Sequence, residues 1–237
     1  MVFPLRGERG STREVPLSGG AMTDGVVRVG DTVRRPAGHA TQNMRDVLAC
    51  LEGAGFDAAP RWLGVDDQGR DILSGIGGET LTNRSRMHPY IGDPPERVVF
   101  SDEQVSAAMR LLRRYHDVFA DEVFCHGDFG PWNLVWRGGL PAAVIDFDNV
   151  YRGDPTDDVG YALRMFVSYG FAAAAPSELV RRTTVALLAY GRPVDAAAIL
   201  AREYDLAEER CRRNGWDRQL AKLAVEREWL AANRGLF

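Results

Sequence analysis

The stretch from Val123 to Asp148 constrains this chain more than any other. A short apolar run, 123–125, leads into His126-Gly127-Asp128-Phe129-Gly130-Pro131-Trp132-Asn133, a polar, turn-rich segment. Two further apolar runs, 134–136 and 142–145, flank a turn at Arg137-Gly138-Gly139, and the second ends on Asp146-Phe147-Asp148. Runs of this length and type read as strands, and the glycine pair between them reads as a hairpin turn. A hairpin returning through Gly138-Gly139 brings Asp146 back beside Asn133, with Asp128 close by. Two oxygen donors can then share a hard divalent cation; Mg²⁺ prefers one or two carboxylates plus phosphate oxygens and water. Taken singly, each of these residues is an ordinary turn or cap residue. Their joint spacing is not ordinary.

The rest of the chain changes character near residue 76. Before that point short β-type runs dominate. Residues 1–16 read as a loose tail or a short first strand. Gly30-Asp31 turns a hairpin whose second strand places Val33 and Arg35 on one face and Arg34 on the other, and Pro36 ends it. Residues 40–54 read as a helix with Met44, Val47, Leu48 and Leu51 on one face. A second hairpin turns around Asp66-Asp67-Gln68-Gly69. Gly75, Gly77 and Gly78 then mark a join, the best candidate for a hinge. Beyond it, Ser101 with Gln104 forms a capping-box pattern opening a helix to about Ala120. Helical periodicity takes over again after about Thr156, in segments near 156–169, 177–190, 195–213 and 217–232. The expected organisation is a small N-terminal lobe, 1–76, and a larger helical lobe, 77–237.

Composition narrows the function classes. Hydrophobic residues make up 45% and charged residues 26%, enough for a core of its own. The net charge of −4 and pI near 5.6 argue against a nucleic-acid binder, which carries a basic surplus. No run approaches the roughly 20 apolar residues of a membrane span. The three cysteines, Cys50, Cys125 and Cys211, show no metal spacing, and no secretory leader is visible, so a cytoplasmic protein is expected. The oligomeric state is not legible. Lys222 is the sole lysine, so any cation needed near the N-terminus is an arginine.

His126-Gly-Asp-Phe-Gly-Pro-Trp-Asn133, with Val144-Ile-Asp-Phe-Asp148 and Gly153-Asp-Pro-Thr-Asp-Asp158, resembles the aminoglycoside phosphotransferase and choline kinase family, related to protein kinases. The spacing of histidine, aspartate and asparagine in the loop also follows the general kinase catalytic-loop pattern. The strong match spans 123–166, and a weaker one in the order of elements spans 20–235. The resemblance implies an α+β, bilobal, protein-kinase-like fold with a nucleotide held between the lobes and an acceptor on the helical lobe. It implies Asp128 as catalytic base, and Asn133 and Asp146 as Mg²⁺ ligands holding the cofactor, with ATP or GTP as donor. His126 joins Asp128 in the catalytic set as a hydrogen-bonded support of the loop rather than a proton carrier. Asp154 and Asp158 are expected to cap the next helix and brace the loop. Asp148 stays open between a second metal, the substrate and solvent. His116 is expected to pack in its helix; His39 and His88 carry no signal.

The small lobe departs from the family pattern. The usual phosphate-binding lysine is missing, and Arg35 is the best surrogate, with Arg28 and Arg34 as rivals. The glutamate that normally pairs with this cation has no convincing counterpart, since Asp46 and Glu52 are poorly placed. A glycine-rich loop rests on Ser18-Gly19-Gly20 or Asp24-Gly25 alone. From residue 150 onward acidic and basic residues are nearly balanced, which gives no support for a strongly cationic acceptor. Asp195, Glu203, Asp205, Glu208 and Glu209 are candidates for a local acidic pocket, although Glu208 and Glu209 also fit a solvated face paired with Arg212 and Arg213. The expected function is a small-molecule kinase that transfers the γ-phosphoryl group of ATP or GTP to a hydroxyl of a small metabolite or antibiotic. The alternatives are a catalytically silent nucleotide-binding protein of the same fold and, less favoured, a metal-dependent hydrolase.

Overall fold

The computed structural model describes residues 2–3, 13–17, 25–38, 41–81, 98–120, 122–167 and 175–237. Strands β2 (Glu14–Pro16), β3 (Val27–Val29) and β4 (Thr32–Arg35) precede helix α1 (Thr41–Gly53), and strands β5 (Trp62–Val65) and β6 (Asp71–Ser74) follow it. They form an antiparallel sheet in the order β2-β3-β4-β6-β5. Gly30 adopts φ +56° at the β3–β4 turn, where Val29 faces Thr32. Helix α1 buries the expected face of Met44, Val47, Leu48 and Leu51. The Asp66 carboxylate accepts the backbone N–H groups of Gln68 and Arg70 and so closes the second hairpin.

The glycines near residue 76 serve close approach. Strand β7 (Gly78–Thr80) pairs with β9 (Leu134–Arg137), which pairs in turn with β10 (Leu140–Val144), while β1 (Val2–Phe3) lies on the other side of β7. A Cβ on Gly78 would lie 2.4 Å from Cγ1 of Val135, and Gly78 sits at φ +147°. Gly75 donates to the Asp31 carbonyl at 2.7 Å, and a Cβ there would meet that same oxygen. The join is thus a packed crossing between the two sheets.

Helix α2 (Asp102–His116) opens on the expected capping box, with Gln104 N–H donating to Ser101 Oγ and Ser101 N–H to Gln104 Oε1. It stops at His116, short of the expected end near Ala120. Strand β8 (Val123–Cys125) pairs with β11 (Tyr151–Gly153), a strand not foreseen because only three residues form it and its side chains are largely exposed. Helices α3 (Pro155–Val167), α4 (Pro176–Tyr190), α5 (Ala196–Asn214) and α6 (Asp217–Asn233) complete the larger lobe within a residue or two of their expected bounds. Helix α3 is the central element of this lobe. All but its first two residues are buried, including Asp157, Asp158 and Arg164. The whole is a mixed α/β fold with a small sheet lobe and a mainly helical remainder.

Candidate functional site

Two strand pairs frame the site. The β9–β10 hairpin turns at Gly138 and Gly139, at φ +56° and +80°. Ile145 N–H donates to Asn133 O at 2.9 Å, which sets the end of β10 beside the end of the loop. The β8–β11 pair closes the far side, since β11 leaves the Asp146 segment and runs back along the strand that feeds the loop. Asp128, Asn133 and Asp146 are therefore carried by one continuous scaffold.

The loop is fixed from below by a buried carboxylate. Asp158, on α3, accepts the N–H of His126 at 2.6 Å and of Gly127 at 2.9 Å, and meets His116 Nε2 at 3.1 Å. Burial alone would raise its pKa, but the hydrogen bond and charge of His116 and the loop amides outweigh this and hold it below the usual carboxylate range. His116 is itself held at Nδ1 by the Tyr190 hydroxyl at 2.9 Å. Packing alone is thus an incomplete account of His116: it links α2, α3 and α4 to the loop. Gly127 sits at φ +74°, and a Cβ would fall 2.3 Å from Asn149 O, so only glycine fits. Asp154 accepts the N–H and hydroxyl of Thr156 at the start of α3, as a capping residue does.

His126 is buried, with both ring nitrogens engaged. Its Nδ1 accepts from Asp128 N–H at 3.3 Å, and its Nε2 lies 3.1 Å from Ile145 O, the residue before Asp146. The ring so ties the two halves of the site together. Asn133 Nδ2 donates to the Asp128 carbonyl at 2.9 Å and to its Oδ2 at 2.8 Å, which turns the amide oxygen away from Asp128. Trp132 Nε1 approaches the same Oδ2 at 3.4 Å. The other carboxylate oxygen, Oδ1, accepts from the Tyr161 hydroxyl on α3. Tyr161 reads in the sequence as core or pocket lining. It is buried, yet its polar tip ends on Asp128.

Asp146 is the only non-glycine residue with positive φ among the described residues, at φ 66°, ψ 72°. A left-handed aspartate persists only where its surroundings impose it, and such strain gathers at functional sites. Burial and then the negative charge of Asp148 raise its pKa, while Arg35 and His126 pull it the other way.

Arg35 reaches this centre. At the end of β4 its guanidinium meets the Asp148 carboxylate in an ion pair, and its Nη1 touches the Met44 sulfur on α1 at 3.5 Å. Its rivals point elsewhere. Arg28 donates to the Gly30 carbonyl, and Arg34 to Thr32 and, at 3.7 Å, toward Asp66. Asp46 receives Gln42 on the exposed side of α1, and Glu52 pairs with Arg61. Local sequence pattern does not reveal that Asp148 meets Arg35, because the two lie 113 positions apart. Ser18, Gly19, Gly20, Asp24, His39 and His88 lie outside the described residues.

Of the acidic candidates on the helical lobe, Glu208 and Glu209 pair with Arg212 and Arg213 one turn on, as a solvated face does. Asp205 pairs with Arg227, and Asp195 caps α5. Glu203 is different. It is buried and paired with Arg164 of α3, one turn from Tyr161.

This scaffold, a small sheet lobe beside a helical lobe, with a loop carrying Asp128 and Asn133 and with Asp146 two residues past the end of β10, defines a protein-kinase-like fold. Residues 101–194 match the phosphotransferase enzyme family, and the chain as a whole has the fold of the aminoglycoside phosphotransferases and choline kinases. It superposes on a streptomycin–ATP–APH(2")-IIa ternary complex over 90% of each chain, with 12% identity and a TM-score of 0.54. It superposes on choline kinase LicA from Streptococcus pneumoniae over 93% of each chain, with 16% identity and a TM-score of 0.50. In sequence it is 33% identical, over 158 residues, to a trifolitoxin immunity protein of Rhizobium leguminosarum bv. trifolii. That match takes in 57% of this chain and 55% of the relative, so the chain spans about half the length of the curated relative it matches.

Proposed function

We propose that the chain is a small-molecule kinase that moves the γ-phosphoryl group of ATP or GTP to a hydroxyl of a small metabolite or antibiotic. The observation that carries this reading is the placement of Asp128 and Asn133, on a loop braced by Asp158, beside the left-handed Asp146 that follows β10. Phosphoryl transfer is mostly positioning and charge neutralisation; this scaffold would supply the first and a bound cation the second. The names of relatives support the acceptor class. One structural neighbour is complexed with streptomycin and ATP, and the Rhizobium relative is an immunity protein against trifolitoxin.

The residues fit Mg²⁺. No three His, Cys, Asp or Glu side chains gather as a metal cage among the described residues, but Mg²⁺ bound with a nucleotide needs only one or two protein oxygens. Asp146 is a buried carboxylate crowded by Asp148, and Asn133 turns its amide oxygen away from Asp128. In this reading Asn133 and Asp146 would hold the cation, which would supply charge neutralisation at the phosphates. Asp128 accepts the proton of the acceptor hydroxyl, and His126 positions the loop. Arg35 contacts the phosphates from the small lobe. The lobes divide near residue 76, with the nucleotide between them and the acceptor against the helical lobe. No described helix is long and apolar enough to cross a membrane, and a cytoplasmic location is part of the proposal.

The test is titration calorimetry with ATP and with GTP, each with and without Mg²⁺. The reading predicts metal-dependent binding that Asp146→Asn weakens by roughly tenfold or more, since a lost metal ligand removes the main charge clamp. A protein that binds neither nucleotide contradicts it. Nucleotide binding with no turnover on a broad acceptor panel favours the catalytically silent alternative.

A further inference from the structure

Among its described residues the small lobe lacks both halves of the ion pair that kinases of this kind use to hold a phosphate-binding cation. Arg35 stands where the lysine is expected, and the helix that should carry its glutamate presents the Met44 thioether instead. The cation nonetheless has a carboxylate. It comes from the other lobe, from Asp148 in the short 3₁₀ turn Phe147–Asn149 that directly follows Asp146. We propose that Asp148 is the residue that positions Arg35 for the nucleotide phosphates, so that one segment, Asp146-Phe147-Asp148, serves both the metal and the small-lobe cation. This inference rests on the kinase reading above.

Three observations support it. First, the pair is mostly screened from water: the Arg35 side chain is 12% exposed and that of Asp148 20%. A pair so placed is worth more than a surface one, because water and salt weaken it less. Second, α1 is docked on the same turn. Asn43 Nδ2 lies 3.5 Å from Val150 O, and Phe147 is buried beneath it among His126 and Tyr115. The turn is therefore a fixed platform. Third, the shape of a guanidinium suits it to a shared role. Arginine offers five N–H donors in a planar fork, so one edge can stay on a carboxylate while another meets a phosphate oxygen. The contacts of Arg35 to Asp148 and Met44 run through Nη2 and Nη1 and leave Nε–H out of both. A lysine here would have to share a single nitrogen between Asp148 and the phosphates.

The experiment is a double-mutant cycle read as nucleotide affinity. Full-length wild type, Arg35→Ala, Asp148→Asn and the double variant are titrated with Mg²⁺-ATP and Mg²⁺-GTP, and their unfolding midpoints are measured without nucleotide. The proposal expects each single change to weaken binding by roughly tenfold or more, and the double variant to bind within about twofold to threefold of the weaker single one, because both changes break the same device. Asp148→Glu, which keeps the carboxylate, should recover part of the affinity and stands in if Asp148→Asn does not fold. If the two effects multiply, Asp148 acts independently of Arg35, for instance on the metal, and the proposal is overturned. If Asp148→Asn binds nucleotide more tightly than wild type, the pair withholds the arginine, and the proposal is overturned again. Wild type that binds neither nucleotide sinks the kinase reading itself; wild type that binds, with a multiplicative cycle, sinks only this inference.

Discussion

Asp128 has each carboxylate oxygen assigned by a neighbour. Asn133 and Trp132 approach Oδ2, and Tyr161 donates to Oδ1. The Tyr161 contact is the one that sequence reasoning passed over, because an aromatic at helical spacing most often belongs to the core. It does belong to the core, and its hydroxyl does a second job. Burial and the charge of Asp128 push the Tyr161 phenol well above its ordinary pKa, so it stays a donor across the working pH range. In the proposed transfer, removing that donor would free the carboxylate that acts as base, and small misplacements of a reacting group are expensive in rate. Tyr161→Phe is expected to lower kcat by about tenfold while leaving nucleotide affinity unchanged. An unchanged kcat removes Tyr161 from the site, and a matching loss of nucleotide affinity assigns it a general structural role.

Among the secondary-structure elements, glycines act in two different ways that substitution separates. Gly138, at φ +56° in the β9–β10 turn, has open space around its Cβ position. Gly138→Ala meets only the backbone penalty, about 1 kcal/mol. Gly78, where β7 crosses β9, would drive a Cβ into Val135 and the Trp136 carbonyl. Gly78→Ala is expected to lose at least about 2 kcal/mol more than Gly138→Ala in chemical denaturation, since backbone or core must shift. Similar losses for the two would show that β7 does not pack as described. Local signals made most of these elements legible in advance. The apolar stripe of α1, the capping box of α2, the Gly138-Gly139 turn and the helical periods after Thr156 all depend on residues close in sequence. What stayed hidden depends on distance. Strands β7 and β11 are three residues each and owe their form to a partner strand. The Arg35–Asp148 pair, the Tyr161–Asp128 contact and the His116–Asp158 link join residues 33 or more positions apart, where periodicity is silent.

At the scale of the whole molecule, the helical lobe buries a charged group behind the site. Arg164 of α3 pairs with Glu203 of α5, and Glu226 of α6 is buried near both. Burial, only partly offset by Arg164 and compounded by the charge of Glu203, raises Glu226 to a pKa of about 7 from an ordinary 4.5. A carboxyl with a raised native pKa binds its proton more tightly folded than unfolded. Its unfavourable contribution is therefore absent below pH 4.5, grows between 4.5 and about 7, and is complete above 7. Its size is on the order of 3 kcal/mol. Glu226→Gln, which keeps the shape without the charge, should gain stability relative to wild type by about that amount between pH 4.5 and pH 8, as read by urea denaturation. Parallel pH profiles for the two proteins would place the carboxyl in water.

The most direct measurement is acceptor-dependent release of nucleoside diphosphate, with Mg²⁺ and ATP or GTP, across a panel of hydroxylated metabolites and antibiotics, for wild type and Asp128→Asn. The proposed mechanism predicts turnover on at least one acceptor, with kcat roughly 10²–10⁴-fold lower in the variant, the range that a lost general base explains. It also predicts nucleotide binding intact in both proteins. Turnover that survives Asp128→Asn unchanged would contradict it.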